Sequence, residues 1–191
     1  PEFIDGEDAE DGDVLPDEAE DPRTPLVWMG GKHHMRAKLL PLFPPHTTYV
    51  EPFAGGLSML FAKPPSECEV VNDVDRAIVN FYRVLRDPAT FARFERMAQL
   101  TPYSREEFEL ARSECDQWTE QDDPVVKAWQ FYMVARSSVG GRIGAGWGYA
   151  RGGGSRADAY TSSVDLLPVI HSRLRHVQVD HGDALLALAR W

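Results

Sequence analysis

The chain has 191 residues, 43% of them hydrophobic, and a formal net charge of −10; that is enough for one ordinary domain with a buried core, or one with a small insertion. The charge is uneven: residues 1–22 hold eleven of the 30 Asp and Glu and no Lys or Arg, leaving 19 acids against 20 bases in the other 169 residues. A near-neutral body neither demands nor excludes nucleic acid. No apolar run approaches the ~20 residues of a membrane-spanning helix, no signal peptide is visible, and Cys68 and Cys115 are too few for a disulfide framework, which makes a reducing cytoplasm the expectation.

Residues 1–23 are acidic, punctuated by Pro and Gly and poor in apolar side chains, and are predicted to be disordered. They read as a solubilising tail or, more sharply, as a nucleic-acid mimic or autoinhibitory arm. The sequence does not begin with Met, so a processed, trimmed or partial chain is expected. Order is expected from Thr24. Pro25 to Lys32 is a short apolar run ending in Gly30-Gly31-Lys32, and Met35 to Leu42 reads as a helix stopped by Pro44-Pro45.

Thr47 to Gly56, Thr-Thr-Tyr-Val-Glu-Pro-Phe-Ala-Gly-Gly, reads as a strand entering a glycine turn and then the apolar helix Leu57–Lys63. Gly55 and Gly56 allow backbone N–H groups to approach a ligand where a helix begins, and open α/β sheets hold nucleotide-like ligands at such strand ends. Cys68 to Asp73 is a second strand. Val74 to Arg86 is a helix whose Ala77, Ile78, Phe81, Tyr82 and Leu85 make one apolar face. Strand, turn, helix, strand, acid, helix is a βαβ unit.

From Asp87 the pattern is helical. Pro88–Leu100 is one helix; a second runs from the Ser104 cap to about Trp118, with Glu107 placed as in a capping box. A third runs from Val125 to about Ser138 behind Asp122-Asp123-Pro124. Eight of the fifteen residues Gly140–Gly154 are glycine, interleaved with Arg142, Trp147, Tyr149 and Arg151, and regular structure is not expected there. Such a loop suits phosphate contact and base stacking, and equally an irregular surface loop. Regular pattern resumes at Ser163, with a helix over Val164–Leu174, a strand over His176–Asp180, and a helix from Ala184 to Arg190 behind Gly182-Asp183.

Several of these features carry chemistry, each with a plainer reading. Asp73, 18 residues after Gly55, fits a carboxylate that accepts from ribose hydroxyls, or the cap of the next helix. Asp183 repeats that placement at another strand end and is open to the same alternative. Gly30-Gly31-Lys32 lacks the upstream Gly and the following Ser or Thr of a Walker loop; Lys32 could meet a carboxylate or phosphate, or simply be solvated.

In combination, order and spacing, Trp28-Met-Gly-Gly-Lys32, Glu51-Pro-Phe-Ala-Gly-Gly56 and Asn72-Asp-Val-Asp75 resemble the Dam-type adenine-specific DNA methyltransferases; Arg136-Ser-Ser-Val-Gly140 and Gly182-Asp183 fall where that family has its DNA-contacting insertion and third cofactor strand. The resemblance covers about residues 24–191. It implies a Rossmann-like α/β sheet, partial here, with a helical target-recognition insertion. The divisions it implies are a cofactor-binding part over 24–86, the insertion over 87–161, and a return to the methyltransferase domain over 162–191.

The resemblance further implies S-adenosyl-L-methionine as cofactor, double-stranded DNA as partner, transfer of methyl to the exocyclic nitrogen of an adenine flipped from the duplex, and a bacterial or phage-encoded protein. Carried over by position, Trp28, Gly31 and Lys32 would meet the cofactor near its methionine end, and Glu51, Pro52, Phe53, Ala54, Gly55 and Gly56 would wrap that end. Asp73 would take the ribose hydroxyls, and Asp183 and Ala184 would lie near the adenine. Arg136, Arg142, Trp147 and Arg151 would face DNA. The family's catalytic Asp-Pro-Pro-Tyr does not occur in these 191 residues, and only about three of the usual seven strands can be placed. The expectation is therefore a chain competent to bind but inactive alone: either the cofactor-binding and recognition portion of such an enzyme, or a non-catalytic or split subunit completed by a second polypeptide.

Overall fold

The computed structural model describes residues 24–119, 121–150 and 154–191. The expected disorder of residues 1–23 and the expected contact at Arg151 lie outside the described residues. At the centre is a three-stranded parallel sheet in the order β1 (Thr48–Glu51), β2 (Cys68–Asp73), β3 (Val177–His181). Glu51 stands beside Val71 and Asp73 beside His181, so the strands' carboxyl ends form one edge. Val70 and Val71 are fully buried, as parallel strands covered on both faces require.

Before the sheet, α1 (Arg36–Leu39) is flanked by 3-10 turns at His33–Met35 and Leu40–Leu42. The crossover from β1 to β2 carries α2 (Ser58–Ala62). That from β2 to β3 carries α3 (Arg76–Arg86), α4 (Pro88–Leu100), α5 (Arg105–Glu114), α6 (Pro124–Ser137), α7 (Arg156–Asp165) and α8 (Leu167–Leu174); α9 (Ala184–Arg190) follows β3. Local chemistry sets the starts. Asp75 caps α3 through Ala77 N at 2.8 Å, and Asp87 caps α4 through Ala89 and Thr90 N. Ser104 caps α5 through Glu107 N, and Asp123 caps α6 through Val125 N. Pro88 and Pro124 occupy first turns, where a missing N–H costs nothing.

α6 is buried almost all round and packs against α3, α4 and α5, which is why no single apolar stripe marks it. One core runs without a break from Leu60 and Val71 through Phe81 to Phe131, Tyr132 and Leu174, so the helical layer shares its interior with the sheet. Near the amino end of β2, Glu69, 3% exposed, takes Lys63 Nζ at 2.5 Å and a bidentate grip from Arg173 of α8. Burial pushes the Glu69 carboxyl up, but Arg173 and Lys63 outweigh it and hold the group below its usual range. Cys68 and Cys115 are both free.

Three expectations change. Helix α5 stops at Glu114 rather than near Trp118, because Trp118 leaves the axis to pack under the Arg76 guanidinium, 4.5 Å away. Regular structure resumes at Arg156, where Ser155 caps α7 through Asp158 N, rather than at Ser163. The division drawn at 161/162 therefore falls inside α7. The single helix expected over Val164–Leu174 is two, broken at Leu166, because Pro168 fits the first turn of α8 but not a helix interior.

Candidate functional site

After Glu51 the backbone turns sharply, and a set of hydrogen bonds holds the bend. Ala54 N donates to Asn72 O and Leu57 N to Ala54 O, both at 2.8 Å. Gly55 N donates to Asp73 Oδ2 at 3.1 Å, while the buried Tyr82 hydroxyl of α3 donates to Gly55 O at 2.6 Å. Asn72 Nδ2 donates to Pro52 O and to Gly182 O, tying the ends of all three strands together. Gly55 has φ +44°, and Leu57, fully buried, has φ 52°. A left-handed leucine costs about 1 kcal/mol or more, of the kind that collects at binding turns.

Above this turn is a cleft of about 160 Å³ lined by Trp28, Gly30, Gly31, Lys32, Glu51, Phe53, Ala54, Gly55, Gly56, Leu57, Ser58 and Asp73. Trp28 closes one side: a Cβ on Gly55 would lie 2.8 Å from its Nε1, and one on Gly56 3.0 Å from its Cβ. The indole leans on Phe131 of α6, with ring centres 6.2 Å apart. Glu51 is 5% exposed; its Oε2 accepts from Tyr49 OH at 3.0 Å and Leu60 N at 3.2 Å, which leaves Oε1 for the cleft. Burial pushes its carboxyl up to about 7, against the partial pull of the Tyr49 bond, Lys32, Leu60 N and Lys63. The Tyr49 phenol is driven far up by its own burial and by Glu51. Asp73 spends one lone pair on Gly55 N and another on Asp75 N, so each oxygen keeps room for a second donor.

Nine of the twelve expected cofactor residues thus line one cleft. Pro52 stands behind it, its carbonyl bound to Asn72. Asp183 and Ala184 stand at the end of β3, where Asp183 caps α9 through Leu185 and Leu186 N and Ala184 is the first helical residue. Gly30, Leu57 and Ser58 line the cleft without having been singled out as contacts. Asn72 and Tyr82 brace it; Asn72 lay inside a quoted motif without a role, and Tyr82 read only as core.

The expected DNA contacts separate. Arg136, half-buried in the last turn of α6, donates from Nη2 to Ala159 O of α7. Trp147 is half-buried, 5.5 Å from Tyr103 and 5.9 Å from Tyr149 between ring centres, with the Arg105 guanidinium over it at 5.1 Å. Arg142 is exposed. The loop that carries these two is ordered through Ala150: Val139–Gly141 is a 3-10 turn, Ser138 and Trp147 form an antiparallel bridge, Gly148 N donates to Ser137 O at 2.7 Å, and Tyr103 OH donates to Gly148 O. Gly141, φ +66°, is pressed against Val27, whose Cγ1 and carbonyl oxygen would lie 2.5 and 2.7 Å from an added Cβ.

The family model of the D12 class N6 adenine-specific DNA methyltransferases matches residues 28–142, from the tryptophan over the cleft to the exposed arginine of the glycine loop. The chain belongs to this family. No curated protein matches it. The matched stretch contains β1, β2, the cleft and α3 to α6. Among the described residues no helix is long and apolar enough to cross a membrane, and no cluster of His, Cys, Asp and Glu has the grouping of a metal site.

Proposed function

We propose that this methyltransferase chain binds S-adenosyl-L-methionine over the Gly55 turn and takes part in methyl transfer from it to the exocyclic nitrogen of adenine in double-stranded DNA. The observation that carries the reading is the convergence on one cleft of a buried acid, Glu51, a cation, Lys32, and a strand-end acid, Asp73, around Gly55 and Gly56, where Trp28 leaves no easy room for a Cβ. The donor set fits the group. Lys32 suits its carboxylate, Glu51 its cationic end, and Asp73, with a free lone pair on each oxygen, a ribose diol. About 160 Å³ is below the ~300 Å³ at which ligand pockets usually begin. We therefore assign the cleft to the methionine end, with the adenosyl part extending past Asp73 to Asp183 and Ala184 at the end of β3.

When bound, the cofactor supplies an electrophilic methyl group. The chain's own residues orient it and shield one face with Trp28. Residues 1–191 contain no Asp-Pro-Pro-Tyr, so we assign to them cofactor binding and target recognition, with Arg142 and the glycine loop on the DNA, and not the handling of the target amine. If a second polypeptide carries that motif, methylation appears only when the two are mixed.

Calorimetry with S-adenosylhomocysteine is the direct test. The native chain is expected to bind, and Asp73→Ala to weaken binding at least about tenfold, a loss typical of a charge-assisted pair. A folded sample that does not bind, or binds equally well without Asp73, overturns the assignment.

A further inference from the structure

A second cleft, of about 290 Å³, lies on the other side of the start of α3, lined among others by Arg76, Asn80 and Arg83 of α3, Trp118, Asp122, and His181 at the end of β3. His181 pairs with Asp73 across the sheet, so the two clefts flank the same strand end. Residues 76, 80 and 83 recur at four and three along α3 and share one face. Both arginines are exposed. The nearby acids are already engaged. Asp122 accepts from Thr119 N at 2.5 Å and faces Lys127 Nζ at 4.0 Å; Asp75 caps α3; Asp123 holds Arg93 at 2.5 Å; Asp180 holds Arg190 at 2.6 Å. Arg76 lies over the Trp118 ring at 4.5 Å, a contact that positions a guanidinium without neutralising it. Neither Arg76 nor Arg83 has an ion pair among the described residues. The cleft thus presents two forked cations without an ion pair among the described residues, beside the Asp122 carboxylate, and the Asn80 amide, which already donates to Pro124 O at 2.8 Å.

We propose that this cleft seats a backbone phosphate of the DNA substrate outside the target base. A guanidinium fork matches phosphate oxygens two at a time, and the cleft lies at the sheet edge where the cofactor cleft also opens. The inference rests on the DNA-binding reading above. The contact positions the duplex without reading its sequence.

The test measures duplex affinity against salt for the native chain, Arg76→Gln/Arg83→Gln, and Arg96→Gln, an exposed arginine of α4 that removes charge elsewhere. The double variant is expected to weaken binding about tenfold or more at low salt, equally for all duplex sequences, and to reduce the slope of log K against log salt by about 1 to 2. Arg96→Gln should do neither, and S-adenosylhomocysteine affinity should not change. An unchanged slope in a duplex-binding double variant overturns this inference alone. So does a changed affinity for S-adenosylhomocysteine, which would make the cleft part of the cofactor site, or an effect confined to a mononucleotide or inorganic phosphate. A native chain that binds no duplex overturns the DNA-binding reading along with it.

Discussion

Gly55 and Gly141 occupy two turns, one at the end of β1 and one at the head of the glycine-rich loop, and consecutive residues press on them. Trp28 fills the space that a Cβ on Gly55 would need, and Val27 the space at Gly141. The obstructions differ in kind. At Gly55 it is the indole of a half-buried side chain, which can swing; at Gly141 it includes the Val27 carbonyl oxygen, which cannot move without moving the backbone that carries Trp28 to the Gly55 cleft. The second glycine is therefore the more demanding, although it sits in the loop whose composition suggested freedom. Among the described loop glycines only Gly141 and Gly148 are closely packed, while Gly140, Gly144, Gly146 and Gly154 stand in open space, so the packing is confined to the loop's base. The glycine-rich loop and the Gly55 cleft share one short segment, Val27-Trp28, as a common wall.

Gly141→Ala is the hardest test of that contrast. With φ +66° and backbone 2.7 Å from the new Cβ, it should lower unfolding free energy by about 2–4 kcal/mol, read by urea titration, and weaken cofactor-analogue and duplex binding together. A variant as stable as the native chain would show the loop base to be unpacked from Val27.

Glu51→Gln comes next. The Glu51 carboxyl sits at about 7 when folded against 4.5 in an ordinary setting. Between those values the folded chain holds a proton that the unfolded chain has released. The associated stability is complete below pH 4.5 and is lost as pH rises through 7, by at most about 3 kcal/mol. The difference between variant and native should therefore grow from pH 5 to pH 8 in the variant's favour. Affinity for a cationic donor should move the opposite way: the native chain binds more tightly as pH rises from 6 to 8 and Glu51 ionises, and the variant stays flat and weak. A pH-independent stability difference would place the buried charge elsewhere.

Gly55→Ala should cost less, about 1 kcal/mol from its φ of +44° plus the displaced indole. Paired with Trp28→Ala, a double-mutant cycle should recover about 0.5–1 kcal/mol of coupling and leave the backbone cost. No such recovery is expected between Trp28→Ala and Gly141→Ala, since Gly141 meets Val27.

What the sequence disclosed follows the same division. The strands, the turn and the starts of α4, α5, α6 and α9 were legible because each rests on local rules: alternation or apolar runs, an Asp or Ser before a helix, a proline in its first turn. The cleft was legible because three short motifs converge on it, and Lys32, Glu51 and Asp73 do line one cavity. The unread parts depend on contacts between residues distant in sequence. Trp118 ends α5 early only because Arg76 lies 42 positions before it. Tyr82 looks like one more apolar-face residue until its hydroxyl meets Gly55 O. Trp147 in a glycine loop suggests a bare stacking surface, but Tyr103 and Arg105, at the start of α5, cover it.

The smallest expected effect separates two arginines that sequence placed in one role. Arg142 is exposed, and its backbone N–H is held by Val139 O at 3.3 Å, so the loop presents it from a fixed base. Arg142→Gln should leave stability within about 0.5 kcal/mol, as for most surface substitutions. It should weaken duplex binding a few-fold and reduce the salt slope by about 1, one phosphate contact's share. Arg136, bonded to Ala159 O, joins α6 to α7. Arg136→Gln should instead lower unfolding free energy by about 1 kcal/mol or more, the scale of a charge-assisted hydrogen bond, and leave the salt slope of the folded fraction unchanged. Should Arg136→Gln change the slope and Arg142→Gln leave it alone, the DNA-facing surface would be the end of α6, with the glycine loop serving only to cover it.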